Sequence, residues 1–264
     1  MNERPTALVT GASSGIGEAL AHELASRGHD LVLVARSEPA LERVATELGD
    51  RHGAGATVIS MDLATPGAGT ALADELVTSG IEPDVLVNNA GFADFGEFMA
   101  ADPAKLVMMA NLNMVTLTEL TRLVGARMVQ RGSGRILNIA STAGFMPGPL
   151  MAEYYATKSY VLSLGEALAD ELSGTGVTIT TLCPGPTASG FQDRAAMGDS
   201  KLVNGKALDS AASVATTGVD AMLAGKPVAV VGLKNRILTL TPRFLPRRWV
   251  PGIVRRAQAT DHAT

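Results

Sequence analysis

The chain begins with a short apolar strand, a glycine-rich loop and a helix, and this succession constrains the fold more than any other feature. Residues 6–10 form an apolar run, Gly11, Gly15 and Gly17 follow, and helical periodicity extends from about 16 to 27. Glycines let backbone N–H groups approach a phosphate, and the helix N-terminus favours its negative charge. The segment therefore predicts a dinucleotide-phosphate loop; an ordinary strand-to-helix turn is the alternative.

The rest of the chain alternates between two kinds of segment. Strand-like runs lie at 30–35, 57–60, 85–87, 135–139, 177–182 and 228–231. Helical stretches lie near 38–49, 68–79, 103–130, 153–173 and 209–224. The alternation predicts an α/β fold, a doubly wound parallel sheet with helices on both faces. Without a repeat or a long linker, we expect a single dinucleotide-binding and catalytic domain over 1–264, with 232–264 a basic and apolar C-terminal extension.

Composition excludes several classes of function. With 264 residues, 46% hydrophobic content and a net charge of −4, the chain can bury a large core and gives no reason to expect a nucleic-acid partner. Cys183, the single cysteine, cannot form an internal disulfide and is expected to be a buried apolar residue. No apolar run reaches membrane-spanning length, and no signal peptide is recognisable at the start. We expect a cytoplasmic protein without a membrane span.

Polar residues follow the predicted strands at the positions where such sheets bind ligands. Asp62 follows the third strand, Asn88 to Gly91 the fourth, Ser141 the fifth, and Pro184-Gly185 the sixth. Ligands of open α/β sheets bind beyond the carboxyl ends of the strands, so these residues are expected at one edge. Each is also a common turn residue.

The end of the second strand indicates which nucleotide is bound. An acidic residue for the ribose 2′-hydroxyl is usual there in NAD-binding folds, but the sequence has Ala35 followed by Arg36. Alanine leaves room for a 2′-phosphate, and a guanidinium can bind it with a planar fork. NADP(H) is therefore favoured over NAD(H). Alternatively, Arg36 is a solvated loop charge and Glu38 serves the ribose.

A different enzyme class overlaps the same loop. Gly11 to Gly15 also fits the G-x-S-x-G nucleophile elbow, with Ser13 as the nucleophile. A serine hydrolase needs an acid and then a histidine later in the chain. The histidines are His22, His29 and His52, all early, and His262 near the end. An oxidoreductase is favoured over a hydrolase.

Tyr154 and Lys158 are four residues apart, on one face of a predicted helix. Hydride transfer to a carbonyl needs a nearby acid, and the reverse reaction needs a base. A tyrosine can serve as both if positive charge lowers its pKa from about 10. An exposed pair of this spacing contributes well under about 1 kcal/mol, so the site must be partly dehydrated. The alternative is that Tyr154 and Lys158 are an ordinary exposed pair on an amphipathic helix, without a catalytic role.

Taken together, these motifs resemble those of the classical short-chain dehydrogenase/reductase family from Thr6 to about Val231. The matching segments are Thr10 to Gly17, Asp62-Leu63, Asn88 to Gly91, Asn111, Ser141, Tyr154 with Lys158, and Pro184-Gly185 with Thr187. The resemblance implies a seven-stranded Rossmann-type sheet and a catalytic tetrad of Asn111, Ser141, Tyr154 and Lys158. It implies cofactor contacts by Gly11, Ser13, Ser14, Gly15, Ile16, Gly17, Arg36, Asp62, Leu63, Asn89, Ala90, Gly91, Tyr154, Lys158, Pro184, Gly185 and Thr187. Within this set, Asp62 would contact adenine, and Asn89, Pro184 and Thr187 would lie near the nicotinamide.

The sequence departs from the family pattern at a few positions. Tyr155 neighbours the predicted catalytic tyrosine, but Ser159 follows it four residues later instead of a lysine, so Tyr154 is assigned. Ser14 stands where some NADP-dependent members carry a basic residue. Ser189 is an alternative to Thr187 as the contact to the carboxamide.

The substrate is expected to be a small carbonyl or alcohol, and apolar loop residues favour a lipophilic ketone or its secondary alcohol. They are Phe92, Phe95, Phe98, Phe145, Met146, Leu150, Met151, Phe191 and Met197. The resemblance implies a homodimer or homotetramer. The C-terminal extension is expected to pack on its own subunit or a neighbour, since its prolines disfavour one long membrane-surface helix. A catalytically idle NADP-binding sensor is the remaining alternative to an enzyme.

Overall fold

The computed structural model describes residues 4–190 and 208–258 and has a parallel sheet at its centre. The strands are β1 (Thr6–Thr10), β2 (Asp30–Ala35), β3 (Ala56–Ser60), β4 (Val85–Asn88), β5 (Gly134–Ile139), β6 (Val177–Cys183), β7 (Thr187–Ala188), β8 (Asp209–Ser210) and β9 (Val228–Val230). Seven of them form one sheet in the order β3-β2-β1-β4-β5-β6-β9, and β7 pairs with β8. Every pairing in the large sheet is parallel. The predicted Rossmann-type architecture is confirmed.

Helices cover both faces of the sheet. They are α1 (Gly15–Ser26), α2 (Glu38–His52), α3 (Ala68–Thr78), α4 (Pro103–Ala110), α5 (Leu117–Arg131), α6 (Ala152–Glu171), α7 (Ala211–Leu223), α8 (Leu233–Leu240) and α9 (Val250–Gln258). Because successive side chains of a strand point to opposite faces, Ala7 and Val9 pack towards α1, α2 and α7. Leu8 packs on the other side, with α3 and α5. The near-continuous apolar strands are thus explained by burial on both faces.

The long helix predicted over 103–130 is interrupted. A π-helical turn at Asn111–Thr116 joins α4 to α5, so the segment shifts its register by the extra residue that such a turn contains. Amphipathic periodicity does not reveal a single widened turn, but π-helical turns are frequent at functional sites. This turn lies on the side of the sheet that also carries α6.

The C-terminal segment from 232 onwards folds back over the carboxyl edge of the sheet. It consists of α8, short 3₁₀ turns at Thr241–Arg243 and Arg247–Trp249, and α9. Its prolines prevent one long helix, as predicted. Val250 and Val254 are buried against Met151 and Tyr155. Among the described residues, no helix has both the length and the apolar character needed to cross a membrane.

Candidate active site

A cavity of about 880 Å³ opens at the carboxyl ends of the strands. It lies where the sheet reverses its order between β1 and β4, the position expected for a ligand in this architecture. Its walls contain nearly all of the residues predicted to bind a cofactor: Gly11, Ser13, Ser14, Ile16, Gly17, Arg36, Asp62, Leu63, Asn89, Ala90, Gly91, Tyr154, Lys158, Pro184, Gly185 and Thr187. The volume is within the usual range for ligand pockets.

The glycine loop is shaped by backbone requirements that only glycine meets. Gly11 and Gly15 have φ angles of 67° and 61°, in the left-handed region that other residues rarely adopt. A Cβ atom on Gly17 would overlap the carbonyl oxygen of Gly11 and the amide nitrogen of Asn89. The first turn of α1 therefore packs directly against the loop, and its N-terminus faces the cavity as a cradle for a phosphate.

Asn89 braces this loop. Its side-chain amide donates to the carbonyl oxygens of Thr10 at 2.9 Å and Gly11 at 3.2 Å. Its backbone N–H and that of Ala90 donate to the Thr10 hydroxyl at 3.0 and 3.1 Å. The Asn89 side chain therefore ties the end of β4 to the end of β1.

Ser141, Tyr154 and Lys158 converge at the opposite end of the cavity. Ser141 lies two residues after the end of β5 at Ile139, and α6 brings Tyr154 and Lys158 to the same wall. The Lys158 ammonium lies 5.7 Å from the centre of the Tyr154 ring and donates to the carbonyl oxygen of Ile139 at 2.8 Å. The helix spacing and the strand end thus place an acid, a hydroxyl donor and a cation together.

Burial governs the protonation of this group. It raises the pKa of the Tyr154 hydroxyl, and a hydrogen bond with Ser141 offsets part of that effect. Burial also lowers the pKa of Lys158 to about 8. The site is dehydrated, as the chemistry requires, but in the chain by itself the Tyr154 pKa moves upwards instead of downwards. At neutral pH the tyrosine is therefore a phenol and the lysine is mostly an ammonium.

Tyr155 has a structural position. Its hydroxyl accepts a hydrogen bond from the Gln258 side chain in α9, and its ring packs with Val250 and Val254. A Cβ on Gly148 would overlap that ring. The tyrosine without a lysine partner thus joins α6 to the C-terminal segment, whereas Tyr154 faces Ser141.

The structure does not bring Asn111 into the large cavity. Asn111 lies in the wall of a separate, shallower cavity beside Val107 and Met108. Asn113, two residues further along the π-helical turn, is buried next to the site instead. Its amide group exchanges hydrogen bonds with the backbone of Phe92 at 3.0 and 3.1 Å and donates to the Thr157 hydroxyl at 3.1 Å.

Asn113 was missed because the segment Asn111-Leu112-Asn113 offers two asparagines, and only the position of the π-helical turn separates them. A Cβ on Gly91 would lie 3.0 Å from the Asn113 side-chain oxygen and 3.7 Å from the Lys158 ammonium. Asn113 therefore holds the loop after β4 against α6, directly beside the buried lysine.

Charged residues at the cavity fall into two groups. Arg36 and Asp62 are exposed just after β2 and β3, and both line the cavity. Lys105, which sequence reasoning did not consider, also lines the cavity and pairs with the half-buried Asp94 at 2.5 Å. The Lys105 charge is therefore already compensated, whereas Arg36 is placed at the strand end where a ribose would lie.

The loop after β6 crosses above the glycine loop. Thr187 is buried, and its hydroxyl donates to the carbonyl oxygen of Gly185 at 2.9 Å. A Cβ on Gly15 would lie 2.8 Å from the carbonyl oxygen of Ser189. Both Thr187 and Ser189 line the cavity, so geometry keeps both as candidates for the carboxamide contact.

Apolar side chains form the end of the cavity beyond Tyr154. Of the predicted residues, Phe92, Met146 and Met151 line it. Phe95 and Phe145 pack in neighbouring clusters, Phe98 is exposed, and Leu150 does not reach the wall. Phe191 and Met197 lie outside the described residues. The C-terminal segment supplies walls that the sequence did not predict: Leu238, Thr241, Pro242, Leu245, Val250, Ile253, Val254, Ala257 and Gln258.

The geometry does not favour a hydrolase. Ser13 lines the cavity, but none of the three histidines in the described ranges does. His22 lies near Glu47 and His52, and the His29 ring contacts the carbonyl oxygen of Leu24. His262 lies outside the described residues.

Comparison with known proteins identifies the family. The model of the family described as short chain dehydrogenase matches residues 5–198. This chain belongs to the short-chain dehydrogenase family. The resemblance of its motifs to the classical members is thereby confirmed, and with it the class of oxidoreductase.

Several relatives of this short-chain dehydrogenase carry more specific names. A very-long-chain 3-oxoacyl-CoA reductase of Mus musculus is 34% identical over 184 residues, 67% of this chain and 58% of that protein. The chain thus spans less than two thirds of that relative. A short-chain dehydrogenase from Sphingobium yanoikuyae in complex with NADPH is 33% identical, with a TM-score of 0.81 over 97% of this chain and 99% of that one. A bulky-bulky ketone specific alcohol dehydrogenase from Comamonas testosteroni is 28% identical, with a TM-score of 0.77 over 98% of both.

Proposed function

We propose that this short-chain dehydrogenase transfers a hydride between NADP(H) and a carbonyl or secondary alcohol, with Tyr154 as the acid and base. The convergence of Ser141, Tyr154 and Lys158 on the cavity that also contains the glycine loop carries the proposal. An exposed helix pair, the bland alternative, does not fit a lysine that is only 6% exposed.

When bound, NADPH would supply the hydride for the new C–H bond at the carbonyl carbon in the direction of reduction. Tyr154 donates its phenolic proton to the carbonyl oxygen, and the Ser141 hydroxyl stabilises the charge that develops there. Since burial raises the pKa of Tyr154, the proton is present at neutral pH. Reduction consumes that proton, and in oxidation the same hydroxyl would act as the base after losing it.

Lys158 stabilises the phenolate that remains after proton transfer. Its ammonium lies near the Tyr154 ring and is held by the Ile139 carbonyl. In a dehydrated site, such a charge has a much larger effect than it would in water. Asn113, instead of Asn111, is proposed as the fourth member of the site, a positioning residue that fixes Gly91 and α6 around the lysine.

NADP(H) is the proposed cofactor. The glycine loop fits a pyrophosphate, since Gly11 and Gly15 have left-handed φ angles and Gly17 packs directly on Gly11, so that backbone without side chains faces the phosphate position. Arg36 lines the cavity at the end of β2, where a guanidinium can bind a 2′-phosphate. The Sphingobium yanoikuyae relative is in complex with NADPH, which supports the same choice. Asp62 is proposed to contact the adenine, and Pro184 and Thr187 the nicotinamide.

The proposed substrate is a lipophilic ketone. The far end of the cavity is lined by Phe92, Met146, Met151, Leu245 and Val254, which leave few polar partners for a charged substrate. A relative named for bulky ketones is consistent with this. We also propose that the chain forms one catalytic unit in a homodimer or homotetramer.

A screen of nucleotide oxidation tests the function. NADPH and NADH are each incubated with lipophilic ketones, aldehydes and quinones, using wild type, Tyr154→Phe and Tyr155→Phe. We expect NADPH-dependent turnover of ketones that falls by about 10²- to 10⁴-fold in Tyr154→Phe, whereas Tyr155→Phe retains it. Near-normal turnover by Tyr154→Phe would exclude it as the acid. Tight NADPH binding without turnover of any carbonyl would instead indicate the idle sensor.

A further inference from the structure

Helix α8 presents its apolar side to solvent. Leu233, Ile237 and Leu240 are 72%, 61% and 49% exposed, and their spacing places them on one side of the helix. The polar residues Asn235 and Thr239 face the protein instead: Thr239 is buried, and Asn235 donates to the carbonyl oxygen of Val231 at 2.7 Å. This amphipathicity is inverted relative to an ordinary surface helix.

Two aromatic side chains continue the exposed apolar surface towards α9. Phe244 is 84% exposed and Trp249 55% exposed. Clusters of exposed apolar residues that are rimmed by polar ones mark interaction sites on protein surfaces. We name this set of exposed residues the C-terminal surface; it consists of Leu233, Ile237, Leu240, Phe244 and Trp249.

The segment of chain that carries the C-terminal surface is basic. Residues 225–258 contain eight lysines and arginines and no acidic residue. The exposed members nearest to the apolar residues are Lys234, Arg236, Arg243, Arg247 and Arg248. The chain as a whole has a net charge of −4, so this segment differs in sign from the rest.

We propose that the C-terminal surface docks on an anionic lipid bilayer. Exposed apolar residues together with lysine and arginine are the combination that holds a segment in the interfacial region of such a membrane. Tryptophan and other aromatic side chains also favour the interfacial region. A symmetric contact with a second copy is disfavoured, because it would bring the same basic patch against itself.

The segment that carries the C-terminal surface also supplies part of the wall of the active-site cavity. Leu238 in α8 and Ile253 in α9 are each about half exposed, and both line the cavity. Docking would therefore bring the cavity opening close to the lipid phase, where a lipophilic compound dissolves. The docking itself goes beyond the proposed hydride transfer, and it is tested by binding without turnover.

Vesicle flotation tests the proposal. The full chain is mixed with vesicles of phosphatidylcholine alone and with vesicles of equal parts phosphatidylcholine and phosphatidylglycerol. We expect binding to the anionic vesicles that decreases with salt. Phe244→Ser and Arg248→Glu should each weaken it about tenfold. The matched controls Phe98→Ser and Arg122→Glu alter exposed residues outside the segment and should leave it unchanged.

Three results would overturn the proposal. The first is no binding to anionic vesicles at low salt. The second is equal weakening by Phe98→Ser and Phe244→Ser, or by Arg122→Glu and Arg248→Glu. The third is a change in molecular mass by light scattering in Arg248→Glu without vesicle binding in wild type, which would assign the surface to contacts between copies. Circular dichroism of each variant verifies that it is folded.

Discussion

The two ends of the active-site cavity are built in different ways. At the nucleotide end, the walls are mainly backbone: Gly11, Gly15 and Gly17 allow the chain to approach a phosphate, and Thr10 and Asn89 hold the loop by hydrogen bonds. At the substrate end, the walls are apolar side chains from distant segments. A backbone cradle accepts one shape of ligand, whereas a side-chain wall can change without altering the fold.

The first prediction tests the rigidity of the nucleotide end. In Gly17→Ala, the new methyl group would overlap the Gly11 carbonyl oxygen and the Asn89 amide, neither of which can move without breaking the loop. We expect loss of measurable NADPH binding, and destabilisation of about 1–3 kcal/mol or more. Fluorescence titration with NADPH and urea unfolding measure the two effects.

Gly49→Ala is the matched control for that substitution. Gly49 lies within α2, and its added Cβ would have only an ordinary contact at 3.9 Å with the Ala54 carbonyl oxygen. Alanine is the better helix former, so this variant should be at least as stable as wild type and bind NADPH normally. Normal NADPH binding by Gly17→Ala would contradict the backbone cradle.

The residues that sequence analysis assigned to the nucleotide end do line one end of the cavity, and there is a physical reason for this. The glycine loop and α1 are contiguous in the chain, so their chemistry can be read from one segment. Tyr154 and Lys158 are similarly fixed by helix spacing, and Ser141 by the end of a strand. The doubly wound parallel sheet was predicted from apolar runs that alternate with helical ones, and its seven strands from the family resemblance.

The substrate end could not be predicted in the same way. Val250, Val254 and Gln258 reach the cavity only because the chain folds back to meet Tyr155, which is 103 residues before Gln258 in the sequence. Asn113 was missed in favour of Asn111 because helical periodicity does not locate a π-helical turn. Tertiary packing decided both, and no local motif encodes it.

The second prediction concerns Lys158, which lies between the two ends. Burial lowers its pKa from 10.5 to about 8, a difference that corresponds to about 3 kcal/mol. At a pH between these two pKa values, Lys158 binds a proton in the unfolded chain but not in the folded protein. Raising the pH through this range therefore favours the folded state. Relative to Lys158→Met, the free energy of unfolding of wild type should therefore rise from pH 8 to pH 10.

Urea unfolding of wild type and Lys158→Met across that pH range measures the difference between their free energies of unfolding. Groups that titrate in both proteins largely cancel in this difference. Lys105→Met is the control, because Lys105 lines the same cavity but is paired with Asp94 and more exposed. A wild-type minus Lys158→Met difference that is independent of pH, or that falls as the pH rises, would show that the lysine is not held in a dehydrated site.

The third prediction tests Arg36, whose guanidinium group belongs to the nucleotide end of the cavity. Loss of a charge-assisted hydrogen bond costs about 1.5–3 kcal/mol, or roughly one to two powers of ten in affinity. Arg36→Ala should weaken NADPH binding by that factor and leave NADH binding nearly unchanged. Ala35→Asp should shift the preference further towards NADH, because a carboxylate would face the 2′-phosphate.

Titration of both nucleotides against each variant shows whether Arg36 binds the 2′-phosphate or is only a solvated charge. Arg51→Ala is the control, since Arg51 is an exposed arginine that is paired with Glu47 and does not line the cavity. If wild type prefers NADH, or if Arg36→Ala weakens the two nucleotides equally, the proposal for NADP(H) fails.

The last and smallest effect is expected at the substrate end, where a side-chain wall should tolerate change. Met151 is buried and lines the cavity, so Met151→Ala enlarges the space beyond Tyr154 without touching the glycine loop. One to a few methylene groups of pocket contact are worth about 1–3 kcal/mol. We therefore expect kcat/KM for bulkier ketones to rise about tenfold relative to smaller ones, with NADPH affinity unchanged.

Met128→Ala makes the same change at a fully buried core position outside the cavity. It should lower the free energy of unfolding but leave the ratio of kcat/KM between bulkier and smaller ketones as in wild type. Steady-state kinetics on a homologous series of ketones measures this ratio. Should Met128→Ala shift the ratio as much as Met151→Ala, general loosening of the fold would account for the preference, and the apolar wall would not be its source.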